Sequence, residues 1–203
     1  MNSAAKTLLC TLQGCPVYQY AGGRGEFIAD ADIDADGAPH AYHPDDTGLD
    51  ALANAKDRAG RFVGILTDSH GRPIVQASGD PAPGYYISTT TYEDTDQPEA
   101  TQRRYVDAER VPFIVVSPRI RRLARGIVLG CRARVTHTRT GRSVDAVVAD
   151  IGPLRRIGEL SIAAARAIGI PSSPRTGGES ARIVRYEFWP GEAAPGFRLV
   201  PMR

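Results

Sequence analysis

Lysine is almost missing from this 203-residue chain: Lys6 and Lys56 are the only two, and arginine supplies the rest of the 25 basic residues. Arginine grips carboxylate or phosphate bidentately and also covers surface by stacking. Cysteine is scarce and odd in number (Cys10, Cys15 and Cys131), which excludes a fully paired disulfide framework. Either Cys10 and Cys15 close a small loop, or all three are free thiols. No Cys-x-x-Cys occurs, which argues against a structural zinc site. No stretch approaches the roughly 18 apolar residues of a membrane helix, so no membrane partner is expected. The leading MNSAAKTLLCTLQGC has one lysine and a brief apolar run, too short and too polar to read as a signal peptide. Localisation is left open by the sequence.

Strong charge of one sign is also absent. The net charge is +2, so no global field argues for nucleic acid. Eight arginines between Arg119 and Arg142 are read as the solvated face around a strand. Hydrophobic content of 42% and charged content of 24% are ordinary for a globular protein. The 21 glycines and 15 prolines favour many short strands over long helices. Residues 1–25 read as an N-terminal strand and linker ending in AGGRG, and residues 26–203 as a single domain. A monomer is expected.

What the chain does have is a local acidic tract. Asp30, Asp32, Asp34, Asp36, Asp45, Asp46 and Asp50 fall within 21 residues, and no Lys or Arg interrupts Glu26 to Ala55. Asp32-x-Asp34-x-Asp36-Gly37 imitates the start of a calcium loop, but the twelfth position is His43 and not the bidentate Glu that such a loop needs. No metal is expected. Alternating Asp residues on one strand share a face, and a row of carboxylates attracts ammonium groups. The tract is therefore read as an acidic cleft wall, with a solvated strand and turn as the plain alternative. Tyr42 and His43 follow in a loop. His43 is a general base, a metal ligand or a loop residue bonded to nearby carboxylates.

Further on, Gly48 to Ala59 shows a short helical pattern. Phe62–Asp68 and Pro73–Ser78 read as a hairpin. In the Tyr85-Tyr86 pair, alternation lets at most one ring serve as a stacking platform for a sugar, and Tyr86 is taken as that ring. Phe113 to Val116 is the best strand of the chain. His137 is expected to be exposed. Trp189 is the only tryptophan and reads as a core plug.

The most informative stretch is VDAVVADIGPLRRIGELSIAAARAIG, Val144 to Gly169. Its β-branched start suits a half-buried strand. Gly152-Pro153 breaks the ladder. Leu160, Ala164, Ala165 and Ile168 then fall at helical spacing, and Gly169 is a helix stop. Two carboxylates, Asp150 and Glu159, flank the turn.

The pattern D-x-G-P, a short loop, an acidic residue, L-S and A-A-A-x-x-x-G resembles the signature of double-psi β-barrels of the rare lipoprotein A type. The same segment is similar to family 75 glycoside hydrolases, the chitosanases, through Asp150 and Gly158-Glu159-Leu160-Ser161. ADADIDADG (Ala29–Gly37), VPFIVVSP (Val111–Pro118) and RIVRYEFWPG (Arg182–Gly191) extend the resemblance in order. The resemblance implies a mainly β fold, a six-stranded double-psi β-barrel core with a few short helices. It implies an endo-acting enzyme that cleaves β-1,4 linkages of chitosan by inversion, with no cofactor and no metal. Asp150 and Glu159 would be catalytic, and Asp32, Asp34, Asp36, Tyr42, His43 and Tyr86 would bind the polysaccharide.

Cleaving a glycosidic bond needs one carboxylic acid to protonate the leaving oxygen and a second, ionised carboxylate to handle water or the anomeric carbon. A helix N-terminus beside Glu159 would keep it charged, and a buried strand end would keep Asp150 protonated. On that ground Asp150 is expected to be the acid and Glu159 the base. A peptidoglycan-cleaving transglycosylase or hydrolase on the same barrel, or a non-catalytic carbohydrate-binding barrel, are the alternatives.

Overall fold

A computed structural model describes residues 5–201; residues 1–4, part of the expected N-terminal segment, and 202–203 lie outside the described residues. Eight strands form one sheet: β1 (Lys6–Leu12), β2 (Cys15–Tyr20), β3 (Gly25–Asp34), β4 (Phe113–Val116), β5 (Cys131–His137), β6 (Ser143–Ile151), β7 (Glu159–Ser161) and β8 (Glu179–Ala193). Two short helices, α1 (Pro118–Leu123) and α2 (Ile162–Ile168), follow β4 and β7. Pairing of β3 with β8 closes strands β3-β7-β4-β6-β5-β8 into a six-stranded barrel. This is the mainly β double-psi architecture expected from the sequence.

The barrel is two copies of one path. Strands β3, β4, helix α1 and β5 run in the same succession as β6, β7, α2 and β8. The halves interlock: β3 pairs in parallel with β7 of the second half, and β6 in parallel with β4 of the first. Ile114 meets Leu160 where β4 and β7 cross between the halves. Even the caps match. Ser117 caps α1 and donates from Oγ to the Leu154 carbonyl, while Ser161 caps α2 and donates to the Val111 carbonyl. Each serine thus satisfies a helix end and ties down a loop of the other half.

The apolar run Phe113–Val116 is buried on both faces. Ile114 and Val116 join the barrel interior with Phe27, Val148, Leu160, Tyr186 and Phe188. Phe113 and Val115 face a second apolar cluster with Val147, Ala149, Tyr42, Ile65 and Tyr92. Two cores on one strand explain a run without alternation.

The second cluster lies under residues 35–112, which link β3 to β4. The equivalent link between β6 and β7 is residues 152–158. The long segment carries only a 3₁₀ turn (Gln102–Arg104) and isolated bridges. Neither the helix expected over Gly48–Ala59 nor regular strands at Phe62–Asp68 and Pro73–Ser78 form there. Asp50 draws on the Ala51 N–H and the Asn54 amide instead, and Pro73, facing Thr67, has no N–H for a ladder. Buried side chains satisfy the backbone in place of strands. Gln102 accepts from the Ser88 N–H and donates to the Gly37 and Ser88 carbonyls. Gln76 bridges Pro39, Tyr86 and Ala82 in the same way.

Three smaller expectations are corrected, and the two readings left open for the cysteines are resolved. The N-terminal segment is a hairpin joined to β3 and not a linker: Cys10, Leu12, Cys15 and Val17 enter the barrel core. Its Gln13-Gly14 loop has φ of 47° and 77°, the primed turn that matches strand twist. All three cysteines are free and buried, so no Cys10–Cys15 loop is closed. His137 is buried, its Nδ1 accepting from the Thr140 N–H. Trp189 lies half-buried on β8 with Arg132 stacked 3.8 Å over its ring, not plugged into the core.

Leu160 is fully buried at the crossing of the halves, so truncation there leaves a cavity both halves share. Leu160→Ala is expected to lower stability by about 2–5 kcal/mol, read by denaturant unfolding.

Candidate active site

Strands β3 and β6 end side by side at the barrel mouth and carry carboxylates on their last residues. Carboxylate oxygens of Asp34, Asp36 and Asp150 lie within 4.8 Å of one another. A cleft of about 1320 Å³ opens over them, lined also by Asp32, Tyr42, Asp50 and Glu159. Its walls are the long 35–112 segment on one side and residues 152–158 on the other.

The three carboxylates are not equivalent. Asp150 is buried, and one oxygen, Oδ1, accepts from the Thr91 N–H (2.8 Å), the Ile151 N–H (2.8 Å) and the Thr91 hydroxyl. Burial raises its pKa, and the Thr91 and Ile151 donors pull it back. Asp34 and Asp36 are raised well above the usual carboxylate range, first by burial and then by neighbouring negative charge, Asp150 included. Among the described residues Asp36 accepts one side-chain donor, the Tyr42 hydroxyl at 2.7 Å. Asp34 accepts the Asp36 N–H. Hydrogen-bond donors thus favour the charged form most at Asp150, and burial beside other carboxylates favours the neutral form at Asp34 and Asp36.

Glu159 stands across from this trio on β7, paired in register with Asp32. Its place depends on two glycines. A Cβ on Gly152 would come within 2.5 Å of Glu159 Oε2, so the glycine of D-x-G-P leaves room for this carboxylate. Gly158, at φ +95°, packs against the Asp30 carbonyl, and the Tyr186 hydroxyl donates to both the Asp30 and Gly158 carbonyls. Burial pushes the Glu159 carboxyl up to about 7; Arg156 opposes the shift, and Asp32 and Asp150 add to it.

One of the two grounds for the expected roles holds, the burial of Asp150 at a strand end, and the other is absent. Glu159 belongs to a strand, and Ser161 intervenes as the cap of α2, so no helix end holds Glu159 ionised. Burial thus favours the neutral form at Glu159, while three donors on one oxygen favour the charged form at Asp150.

Of the other predicted binding residues, Asp32, Asp34, Asp36 and Tyr42 line the cleft. Asp32 is exposed and meets Arg156 at 3.2 Å. His43 and Tyr86 are not among the lining residues. His43 packs edge-on against Tyr85 at 4.8 Å and accepts the Asp45 N–H, and Tyr86 packs against Phe62. The expected aromatic platform is missing because the backbone of Tyr86 bonds to the Tyr42 carbonyl and turns its ring to the second core. Exposed aliphatic residues stand at the cleft walls instead, Val63 on the long segment and Leu154 opposite. Asp50, the last member of the acidic tract, also lines the cleft. Thr91 was missed and carries no local sequence signal: a lone Thr becomes a site residue only through the fold.

No family model matches the chain, and no curated protein matches its sequence.

A group whose folded pKa is raised stabilises the fold below its unfolded value and loses that contribution as pH rises through the folded one. For Glu159 that window runs from 4.5 to about 7. Glu159→Gln should match the wild type in melting temperature at pH 4 and exceed it at pH 8. The gain is about 2–3 kcal/mol at most, since solvent in the cleft screens part of it. Equal melting temperatures at pH 8 would show that the carboxyl is not held in its neutral form.

Proposed function

We propose that this chain is an endo-acting glycoside hydrolase that cleaves β-1,4 linkages of chitosan or a related amino-sugar polymer by inversion. The observation that carries this reading is a single cleft holding two carboxylates in different surroundings, Asp150 with three donors on one oxygen and Glu159 pushed toward its neutral form by burial. Glu159, half protonated at neutral pH, donates a proton to the leaving glycosidic oxygen. Asp150, ionised and fixed by Thr91, takes a proton from the water that attacks the anomeric carbon. As the proton arrives Asp150 becomes neutral, and Glu159, having given its own proton, carries the charge, so the net charge of the cleft is unchanged by the step. The two reactive carboxyl groups should stand about 6.5–9.5 Å apart in a substrate complex, leaving room for that water.

The choice of polymer follows from charge. The cleft lining has eight acidic residues, Asp32, Asp34, Asp36, Asp50, Asp57, Glu93, Asp150 and Glu159, against four basic ones. A sugar polymer bearing ammonium groups suits such a lining. One observation favours the second reading, an anionic cell-wall polymer: Arg58 and Arg155, both exposed on the cleft walls, form no ion pair among the described residues.

Incubation with chitosan, chitin and peptidoglycan, followed by mass analysis, distinguishes these readings. Chitosan is expected to give reducing oligomers whose fresh ends are the α-anomer by proton NMR. Asp150→Asn and Glu159→Gln should each lower turnover at least about 100-fold. The wild-type rate should fall on the alkaline side near pH 7, where Glu159 loses its proton. Anhydro products from peptidoglycan, with activity surviving Glu159→Gln, would move the transglycosylase reading ahead. Polymer binding without any new ends would leave only a binding barrel.

A further inference from the structure

A second cavity adjoins the cleft and plays no part in the chemistry above. Its volume is about 970 Å³, a size that suits a ligand of a few rings. Thr91, Glu93, Tyr105 and Ile151 line both spaces. Thr91 and Ile151 are also the two residues that hold Asp150. The boundary between the cavities is therefore the edge of the reacting centre, and a linear polymer lying over Asp150 runs past Thr91 into the second space.

The second space differs in character from the first. Its acidic residues are already engaged. Glu93 and Asp96 pair with Arg104 and Arg198, at 2.8 and 3.0 Å. Asp94 accepts the Asp96 N–H and the Gln97 amide, and Asp107 accepts the Glu109 N–H. Arg103 lines the cavity, is exposed, and has no ion pair among the described residues. The apolar part comes from Leu129, Phe197 and Val200. An ammonium-bearing sugar would meet the Arg103 cation where Glu93, Asp96 and Asp107 are already paired to arginines and Asp94 alone has no ion pair among the described residues. An acetamido group instead offers a carbonyl to the guanidinium and a methyl to the apolar lining.

We infer that the second cavity continues the substrate groove past the scissile bond and binds an uncharged, N-acetylated sugar unit, while the main cleft takes the deacetylated ones. This rests on the glycoside-hydrolase reading for its substrate, and the test separates the two. Partially N-acetylated chitosan hexamers are cleaved by wild type, Thr95→Trp and Arg103→Glu, and the products sequenced by mass spectrometry. Thr95 is exposed on the second cavity and touches none of the reacting groups, so a tryptophan there blocks only that space. Wild-type cuts should show acetylated units enriched on one side. Thr95→Trp should abolish that enrichment and lower kcat/KM on the hexamer about 10-fold. Arg103→Glu should move the preference on that side toward deacetylated units. If the wild type cleaves and both variants give its product pattern and kcat/KM, this inference fails and the hydrolase reading stands. If the wild type cleaves nothing, calorimetry of the same hexamers on Glu159→Gln decides. Weaker binding when Thr95→Trp is added supports the groove without the hydrolase; unchanged binding overturns it.

Discussion

Three carboxylates forced within a few ångströms of each other at a poorly solvated barrel mouth are the constraint on which the site depends. Such a trio cannot be fully ionised without a counter-cation, so protons must be shared and their distribution set by local donors. Thr91 and Ile151 decide it by placing three donors on a single oxygen of Asp150. Among the described residues Asp36 receives the Tyr42 hydroxyl and Asp34 a backbone N–H. Those donors favour charge at Asp150 over charge at Asp34 and Asp36. The arrangement costs stability, since buried carboxylates destabilise the fold when ionised, and it persists because two rigid strand ends leave the side chains nowhere else to go.

Those strand ends are brought together by the interlocked halves. Because β3 lies in parallel beside β7, and β6 beside β4, the acidic end of each long strand emerges at the same rim of the barrel. Asp34 stands in register with Ser161, and Asp150 with Val115. The two halves repeat one succession of elements. What breaks the relation is loop length: one half connects its first two strands through residues 35–112 and the other through 152–158. A symmetric mouth would be an open bowl. The unequal loops turn it into a cleft with a thick wall and a thin one, and the thin wall brings Glu159 up beside Gly152.

This division also explains what was legible in the sequence. Phe113–Val116, Asp150 before its turn, the helix after Ser161 and the stop at Gly169 were all readable, because each is specified by residues near it in the chain. The long segment was not. Leu49, Leu52 and Ala55 follow a helical period, yet they serve the second core from a chain of turns, with Asp50 diverted to local donors. His43 and Tyr86 failed as cleft residues for the same reason: loop side chains point where tertiary contacts send them, and composition carries no direction. Thr91 could not be found at all, since its partner lies 59 residues away.

A wall without strands must get its stiffness elsewhere, and the long segment does so by repetition. Asp57-Arg58-Ala59-Gly60-Arg61 and Asp68-Ser69-His70-Gly71-Arg72 form the same turn twice. In each, the aspartate Oδ1 accepts two backbone N–H groups, the arginine grips Oδ2 of the same aspartate, and the glycine takes positive φ, +79° and +77°. Each aspartate–arginine pair closes its own loop, so the turns need no support from the barrel. Exposed ion pairs of this kind add little stability each, but they restrict the backbone that carries Val63 and Ile65. The first of these stands out at the cleft edge and the second anchors in the second core. Rigidity in the wall is thus built from local polar geometry, while the mouth it shelters is left with the crowded carboxylates on which the chemistry would draw.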